Sequence, residues 1–335
     1  MNKRFEVMKD EHNLIDNNNS NLLYYHIGYC ADRDVRFKSS SGGIGTAIIK
    51  HLLDTGAYGT AMTFEFDNKE CQYQPKLIYN FTDYNNCGSI YQDTDTIGFI
   101  RRNIDNIRDG IIITCMPCQV KAIKSILSRR GIRNFIVSLC CSGQTTIYGT
   151  WYYYKLLGIR KEDVNNIQYR GNGWPSGIQI QLKNGDVIKK DNYTYPWTLM
   201  HKSLLFRPKR CLYCTMKTTK DADVSLADPW LKEYIENDRD GNSVVICNEY
   251  GELTINQMEK EGLLSLKKIS EPEYVASQLG TIEEKAKSNK YKRFNKILVT
   301  MSKEDSVYKK IVVSSVLFMK MHLFFLNKLR IVSKI

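Results

Sequence analysis

No uninterrupted apolar run in this 335-residue sequence approaches the roughly 20 residues that a membrane span needs. Residues Met1 to Ser20 are polar and lack the apolar centre of a signal peptide. Ten cysteines without such a signal argue against a disulfide framework. They are read as reduced thiols in a cytoplasmic protein, some of them metal ligands. The five histidines form no pair with metal-ligand spacing, and residues 1 to 29 contain no cysteine. No Walker loop, Ser-His-Asp set or paired carboxylates stand above background. No Gly-x-Gly-x-x-Gly follows a strand with an acidic residue about 20 positions beyond, so the nicotinamide fingerprint is missing.

The composition is globular, with 42% hydrophobic and 25% charged residues, which sets aside disorder and repeat arrays. The length suits one large domain or two modest ones. The net charge of +12 is uneven, because the segment from Thr281 onward holds 13 Lys and Arg against 4 Asp and Glu. A basic tail on a nearly neutral body does not read as a nucleic-acid binder. Within that tail, Val307 to Ile335 alternates apolar clusters with Lys and Arg. That pattern predicts a basic amphipathic helix on a partner or on the inner face of a membrane, or else a helix packed on its own domain.

Taken in order, residues 1–24 read as a leader and Leu22 to Cys30 as a strand. Ser39-Ser-Ser-Gly-Gly43 then precedes a helical pattern at Ile44, Ala47, Ile48, Leu52 and Leu53. Free backbone N–H groups beside the positive end of a helix dipole make Ser40, Ser41, Gly42 and Gly43 a candidate anion site, with a plain helix cap as the alternative. Gly59 to Phe66 and Cys71 to Tyr79 read as antiparallel strands, and Ser89 to Gln92 as the opening of a helix that runs to Ile107. Ile111 to Thr114 and Phe135 to Leu139 are short apolar runs of the buried parallel type, with a helix to Arg130 between them. This is βαβ grammar, whose ligand sites lie beyond the strand C-termini. Three alternating strands follow from Val164 to Asp191, then strands at Val224 to Ala227 and Val244 to Asn248 and a short helix at Asn256 to Gly262. The fold expected is α/β: a parallel-sheet N-terminal domain (25–160), an α+β cysteine-containing domain (161–280) and a basic helical tail (281–335).

The segment Arg207 to Trp230 organises the reading. Cys211 and Cys214 are spaced to grip one metal centre, and three cations just before them favour thiolates. One pair cannot complete a site, so two more ligands must come from elsewhere, and Cys115-Met-Pro-Cys118 and Cys140-Cys141 can supply them. Thiolates alone do not separate structural zinc from an iron–sulfur cluster. Cys30, Cys71, Cys87 and Cys247 are isolated and read as small buried hydrophobes; Cys115 and Cys140 are read as core packing, with spare ligands as the alternative.

In sequence order, Ser-Ser-Gly-Gly, Ser89-x-Tyr-Gln, Cys118-Gln, Cys141-Ser-Gly, Arg170 with Gly173-Trp174, Arg207-Pro-x-x-Cys-x-x-Cys and Asp228-x-Trp230 resemble the coenzyme F420 hydrogenase/dehydrogenase β-subunit family over roughly residues 25 to 275. The set is specific in its order, and no single piece is. The family's Thr-Pro-Cys-Gln falls on Met116, Pro117, Cys118 and Gln119, and its Cys-His-Gly on Cys141, Ser142 and Gly143. The resemblance therefore implies Cys118, Cys141, Cys211 and Cys214 as the ligands of a 4Fe–4S cluster. It further implies FAD, with its phosphates on Ser40 to Gly43 and charge complementarity from Arg170 and Arg207. Pro117 belongs to this cofactor set, and Tyr91, Gln92, Asp228 and Trp230 frame the ring or the acceptor. Departures are Ala227 for a glycine and Ile90 for a lysine. The ferredoxin-like cysteine array that often precedes this domain is missing, which calls for a separate electron-donor protein. The implied activity is a flavin- and iron–sulfur-dependent oxidoreductase subunit with a small-molecule or deazaflavin acceptor. The alternative is a non-redox zinc module built on the same four cysteines in a membrane-associated glycan-assembly system, a polysaccharide-biosynthesis setting in which bacterial relatives occur.

Overall fold

The computed structural model describes residues 22–191, 194–202, 206–237 and 240–283. The leader 1–21 and the tail Val307–Ile335 lie outside the described residues. Eleven strands among the described residues form two sheets. They are β1 (Tyr24–Cys30), β2 (Thr60–Asp67), β3 (Gln72–Ile78), β4 (Ile111–Cys115), β5 (Asn134–Leu139), β6 (Val164–Gln168), β7 (Gly177–Leu182), β8 (Val187–Asp191), β9 (Val224–Ala227), β10 (Ser243–Cys247) and β11 (Leu264–Lys268). The larger sheet has eight strands in the order β11-β1-β10-β9-β5-β4-β2-β3, and β6-β7-β8 make a separate antiparallel sheet.

The centre of the large sheet is parallel, with β2, β4, β5 and β9 running one way. The residues dictate this. β4 and β5 are unbroken apolar runs, as strands covered on both faces must be. Alternate residues enter opposite cores. Ile112, Phe135 and Val137 pack with α2 (Ile44–Asp54) and α8 (Glu249–Lys260). Ile111, Ile113 and Ile136 pack with α4 (Pro117–Ser128), the crossover helix between β4 and β5. The remaining helices are α1 (Arg33–Lys38), α3 (Thr96–Arg102), α5 (Ile147–Leu156), α6 (Trp197–Lys202), α7 (Lys232–Asn237) and α9 (Glu271–Ser277). None among the described residues is long and apolar enough to cross a membrane.

The α/β class is as expected, and several boundaries differ. Ser89 to Gln92 is extended, and α3 begins only at Thr96, where the Asp95 carboxylate accepts from Gly98 N–H at 3.0 Å as its cap. The helix yields at Arg102 to a 3₁₀ turn, Ile104–Asn106. The helix expected at Asn256 starts at Glu249, capped by Asn248. Residue 161 marks where the small sheet begins, yet β9, β10 and β11 lie beyond it in sequence and hydrogen-bond into the large sheet. One sheet therefore draws strands from both sides of that point. Cys30, Cys71, Cys87, Cys115 and Cys247 are buried.

Asp223 closes this late insertion. Its carboxylate accepts from Ile136 N–H at 2.7 Å and from the Asn248 amide at 3.1 Å, joining β5, the entry to β9 and the cap of α8. Asp223→Ala leaves those buried donors unpaired and should lower unfolding free energy by about 3 kcal/mol, read as a drop in the urea midpoint at unchanged slope.

Candidate functional site

The C-terminal ends of β4, β5 and β9 point to one edge of the sheet, and β1 ends there too, since two antiparallel steps separate it from β9. At that edge lies a cleft of about 890 Å³, within the size range of cofactor sites. Its walls come from the loop before α2, the strand ends, the segment around Tyr84 to Tyr91, and the cysteine segment.

The serine–glycine loop sits on the cleft floor. Ser40, Ser41, Gly43, Gly45 and Thr46 line it, at the start of an eleven-residue helix whose N-cap is Gly43, with no side-chain cap. The first-turn N–H groups thus lack the usual hydroxyl or carboxylate partner at the cap, a suitable anion seat. Ser40 and Ser41 have structural duties as well. The Ser40 hydroxyl accepts from Ser89 N–H at 2.6 Å, and the Ser41 hydroxyl donates to the Asn242 carbonyl. Gly42 does not line the cleft. Its φ is +62°, and a Cβ there would meet Ser243 N at 2.8 Å and Asn242 C at 2.9 Å, so this glycine lets the loop lie against the residues leading into β10.

Arg170 and Asp228 border the cleft as a pair. Arg170, leaving β6, is 5% exposed and grips the Asp228 carboxylate in two bonds of 2.8 and 3.0 Å. Its guanidinium also donates to the Ser40 carbonyl at 2.8 Å, and Trp174 Nε1 donates to Asp228 at 3.2 Å. The Trp174 and Trp230 rings lie 5.5 Å apart, with Trp230 on the wall. The charge expected to meet phosphate is therefore largely answered by Asp228, and the pair acts as a clamp across three segments. Arg207 differs: its guanidinium lies against Gly143, where a Cβ would be only 1.8 Å away, and it faces the cleft.

Tyr91 lines the cleft with its ring centroid 4.3 Å from that of His201, tilted by 41°, and His201 Nδ1 is 3.1 Å from the Thr145 hydroxyl. Gln92 is fully buried and donates to the Tyr73 carbonyl at 3.0 Å; it lines a neighbouring cavity of about 100 Å³ instead. Pro117 is buried at the first position of α4, where its missing N–H costs nothing. Both stand behind the cleft wall.

The cysteines come from three strand or helix ends. Cys118 lies in the first turn of α4, Cys141 follows β5, Cys211 lies within a 3₁₀ turn, Lys209–Leu212, and Cys214 comes just after that turn. The Cys118 thiol sits against that of Cys214, which pushes its pKa up, followed by burial and the charges of Cys214 and Cys141; Arg210 opposes the shift. Cys141, Cys211 and Cys214 line the cleft. Among the described residues, His26, Cys247 and Glu252 are the sole trio with ligand atoms within 4.8 Å of one another. The Cys118 and Cys214 thiols are in contact, while no three of Cys118, Cys141, Cys211 and Cys214 have sulfurs that all lie within 4.8 Å of one another. Cys140 is half-buried, packs against the core cluster around Ile27, Ile246 and Tyr274, and also lines the cleft, with Sγ 3.6 Å from Gln278 Oε1.

Lys217 and Gln278 carry no sequence signal. Lys217 is buried, donates to the Gln278 carbonyl at 2.9 Å and accepts from Cys141 N–H through its own carbonyl at 2.9 Å. Burial pushes its pKa down, opposed by Cys140. The Gln278 amide in turn donates to the Asp228 carbonyl. Asn86 and Tyr84 complete the wall beside Thr46, whose hydroxyl is 3.3 Å from the Tyr84 hydroxyl.

Removing one partner of the buried clamp leaves the other charge unanswered. Asp228→Ala should cost about 3 kcal/mol of unfolding free energy, measured by denaturant titration. Asp228→Glu, which retains the charge, should cost clearly less.

Comparison with known proteins gives two family-model matches. Residues 25–99 match the N-terminal part, and residues 108–272 the C-terminal part, of the coenzyme F420 hydrogenase/dehydrogenase β subunit. The F420-dependent formate dehydrogenase subunit beta of Methanocaldococcus jannaschii is 21% identical over 262 residues, covering 74% of this chain and 63% of that protein. This chain thus spans under two thirds of that relative's length. A chain of the F420-reducing [NiFe] hydrogenase complex from Methanosarcina barkeri shares the fold, with a TM-score of 0.60 at 17% identity, covering 81% of this chain and 92% of that one. With both halves of the family model matched in order across the two sheets and the cleft between them, the chain belongs to the coenzyme F420 hydrogenase/dehydrogenase β-subunit family.

Proposed function

We propose that the protein is an oxidoreductase subunit that carries a 4Fe–4S cluster on Cys118, Cys141, Cys211 and Cys214 and a flavin in the adjoining cleft. The observation that carries this reading is the shared cleft: three of those four cysteines line one part of its wall, and an uncapped helix start lines another. Family membership and the oxidoreductase relatives support a redox role.

The residues fit these groups in kind. Four thiols supply one ligand per iron. The backbone N–H groups at Gly45 and Thr46, with Arg207, suit the flavin's phosphates. The Tyr91 and Trp230 side chains supply apolar wall. When bound, such cofactors provide one- and two-electron transfer, while the protein positions them and excludes water. Arg210, which favours the Cys118 thiolate, and buried Lys217 offset the negative charge of four thiolates. Electrons come from a separate donor protein, and the acceptor is a small molecule or a deazaflavin.

The test is an anaerobic preparation of the full-length chain with iron, sulfide, zinc and flavin analysis. About four irons, four sulfides and one flavin per chain are expected. Cys214→Ser should lose at least tenfold of the iron. Gly45→Leu, which keeps a helical backbone and adds bulk where the first turn of α2 meets Leu226 and Val137 on the cleft wall, should lower flavin retention at least tenfold with iron unchanged. A colourless zinc protein would overturn the cluster. Flavin that survives Gly45→Leu would move that cofactor elsewhere.

A further inference from the structure

We infer that His26, Cys247 and Glu252 form a second metal site, apart from the cleft cysteines, that takes a divalent cation of the zinc class. Sheet register creates it. Tyr24 is opposite Cys247 and His26 opposite Val245 on the antiparallel pair β1 and β10, so His26 and Cys247 are diagonal neighbours on one face. Both project from that face toward the first turn of α8, which carries Glu252. The Glu252 carboxylate is 2.7 Å from His26 Nε2 and 3.3 Å from Cys247 Sγ, and all three ligand atoms lie within 4.8 Å of one another. None of the three lines the cleft.

Donor chemistry selects the cation. Imidazole nitrogen, thiolate and carboxylate are the three ligand types zinc takes in proteins, and sulfur with nitrogen disfavours magnesium or calcium. Charge agrees with burial. His26 is 5% and Cys247 0% exposed. A dication with one neutral imidazole, one thiolate and one carboxylate is neutral overall, whereas the empty trio buries a carboxylate answered only by shared protons. Both His26 and Cys247 reach the same oxygen, Glu252 Oε2, so two hydrogen bonds stand where the ion would bind. On binding, the cation–sulfur bond replaces the S–H bond and that proton goes to solvent; the cation–nitrogen bond replaces the Nε2–H bond, and the neutral imidazole carries its one proton on Nδ1 after exchange with solvent. His26 Nδ1 has no hydrogen-bond partner among the described residues, so the ring's polar anchorage lies within the trio. The Tyr24 carbonyl, 3.8 Å from Cys247 Sγ, or a water fills the fourth position. Zinc distances of about 2.0–2.1 Å require Glu252 to withdraw from His26 by roughly half an ångström. Its side chain retains 14% exposure, which leaves the ion an entry path.

The experiment titrates the full-length chain, the Cys247→Ser variant and the Glu252→Gln variant with Zn²⁺ alone, after metal stripping, with bound zinc measured by elemental analysis and melting followed in parallel. The cleft cysteines are common to all three proteins and cancel in the comparison. The wild type should bind one more equivalent of zinc than Cys247→Ser and gain a zinc-dependent rise in melting temperature that this variant lacks. Glu252→Gln, nearly identical in shape, should bind that equivalent at least tenfold more weakly, and it decides the matter if Cys247→Ser does not fold. Equal zinc in wild type and variants would overturn the site and leave the trio a hydrogen-bonded strut.

Discussion

The cleft depends on the ion pair between Arg170 and Asp228. Arg170 leaves the small sheet and Asp228 leaves the large one, so the two-pronged bond fixes the separation of the sheets at the strand ends. The same guanidinium holds the Ser40 carbonyl, and the Asp228 backbone accepts from Gln278, so four distant stretches meet at one charge pair. Such a pair is costly to bury and strongly destabilising to break. It yields position more than net stability: the helix start at Gly43 and the cysteine segment face one another across a fixed gap.

Electrostatics across that gap are graded. Arg207 lines the cleft beside Gly143, Arg210 lines the small neighbouring cavity and acts on Cys118, and the backbone of buried Lys217 bonds that of Cys141. Their positive charge opposes what four thiolates would bring. On the other side the only described positive influence at the cleft floor is the helix start, because Arg170 is answered by Asp228. A cleft with fixed cations near its sulfurs and backbone donors near its serines treats two anionic groups differently, one through full charges and one through dipoles.

Much of this was legible in sequence, for physical reasons that differ by element. β4 and β5 were readable because strands covered on both faces must be apolar throughout, and the helix between them follows from its 3.6-residue period. The cysteine segments were readable because thiols in ordered spacing have few other uses. The role of Arg170 was not, since its partner lies 58 residues away and a charge names no partner in sequence. Ser89 to Gln92 looked like a helix start but is drawn out straight, because Ser89 N–H is taken by the Ser40 hydroxyl and the buried Gln92 amide by the Tyr73 carbonyl. Tertiary bonds overrode local preference there.

Cys247 marks where the isolated-cysteine rule stops being informative. Its burial was foreseeable from the apolar run Val244 to Ile246, and burial with the charge of Glu252 holds its thiol protonated. Its neighbours were not foreseeable, because His26 is 221 residues earlier and reaches it only through the antiparallel register of β1 and β10. Glu252 arrives by the turn from β10 into α8. A single register step would send His26 to the opposite face and dissolve the trio. The arrangement is thus a product of pairing in the sheet edge, where β1 is inserted between β10 and β11 and the earliest and latest described strands of the chain become neighbours.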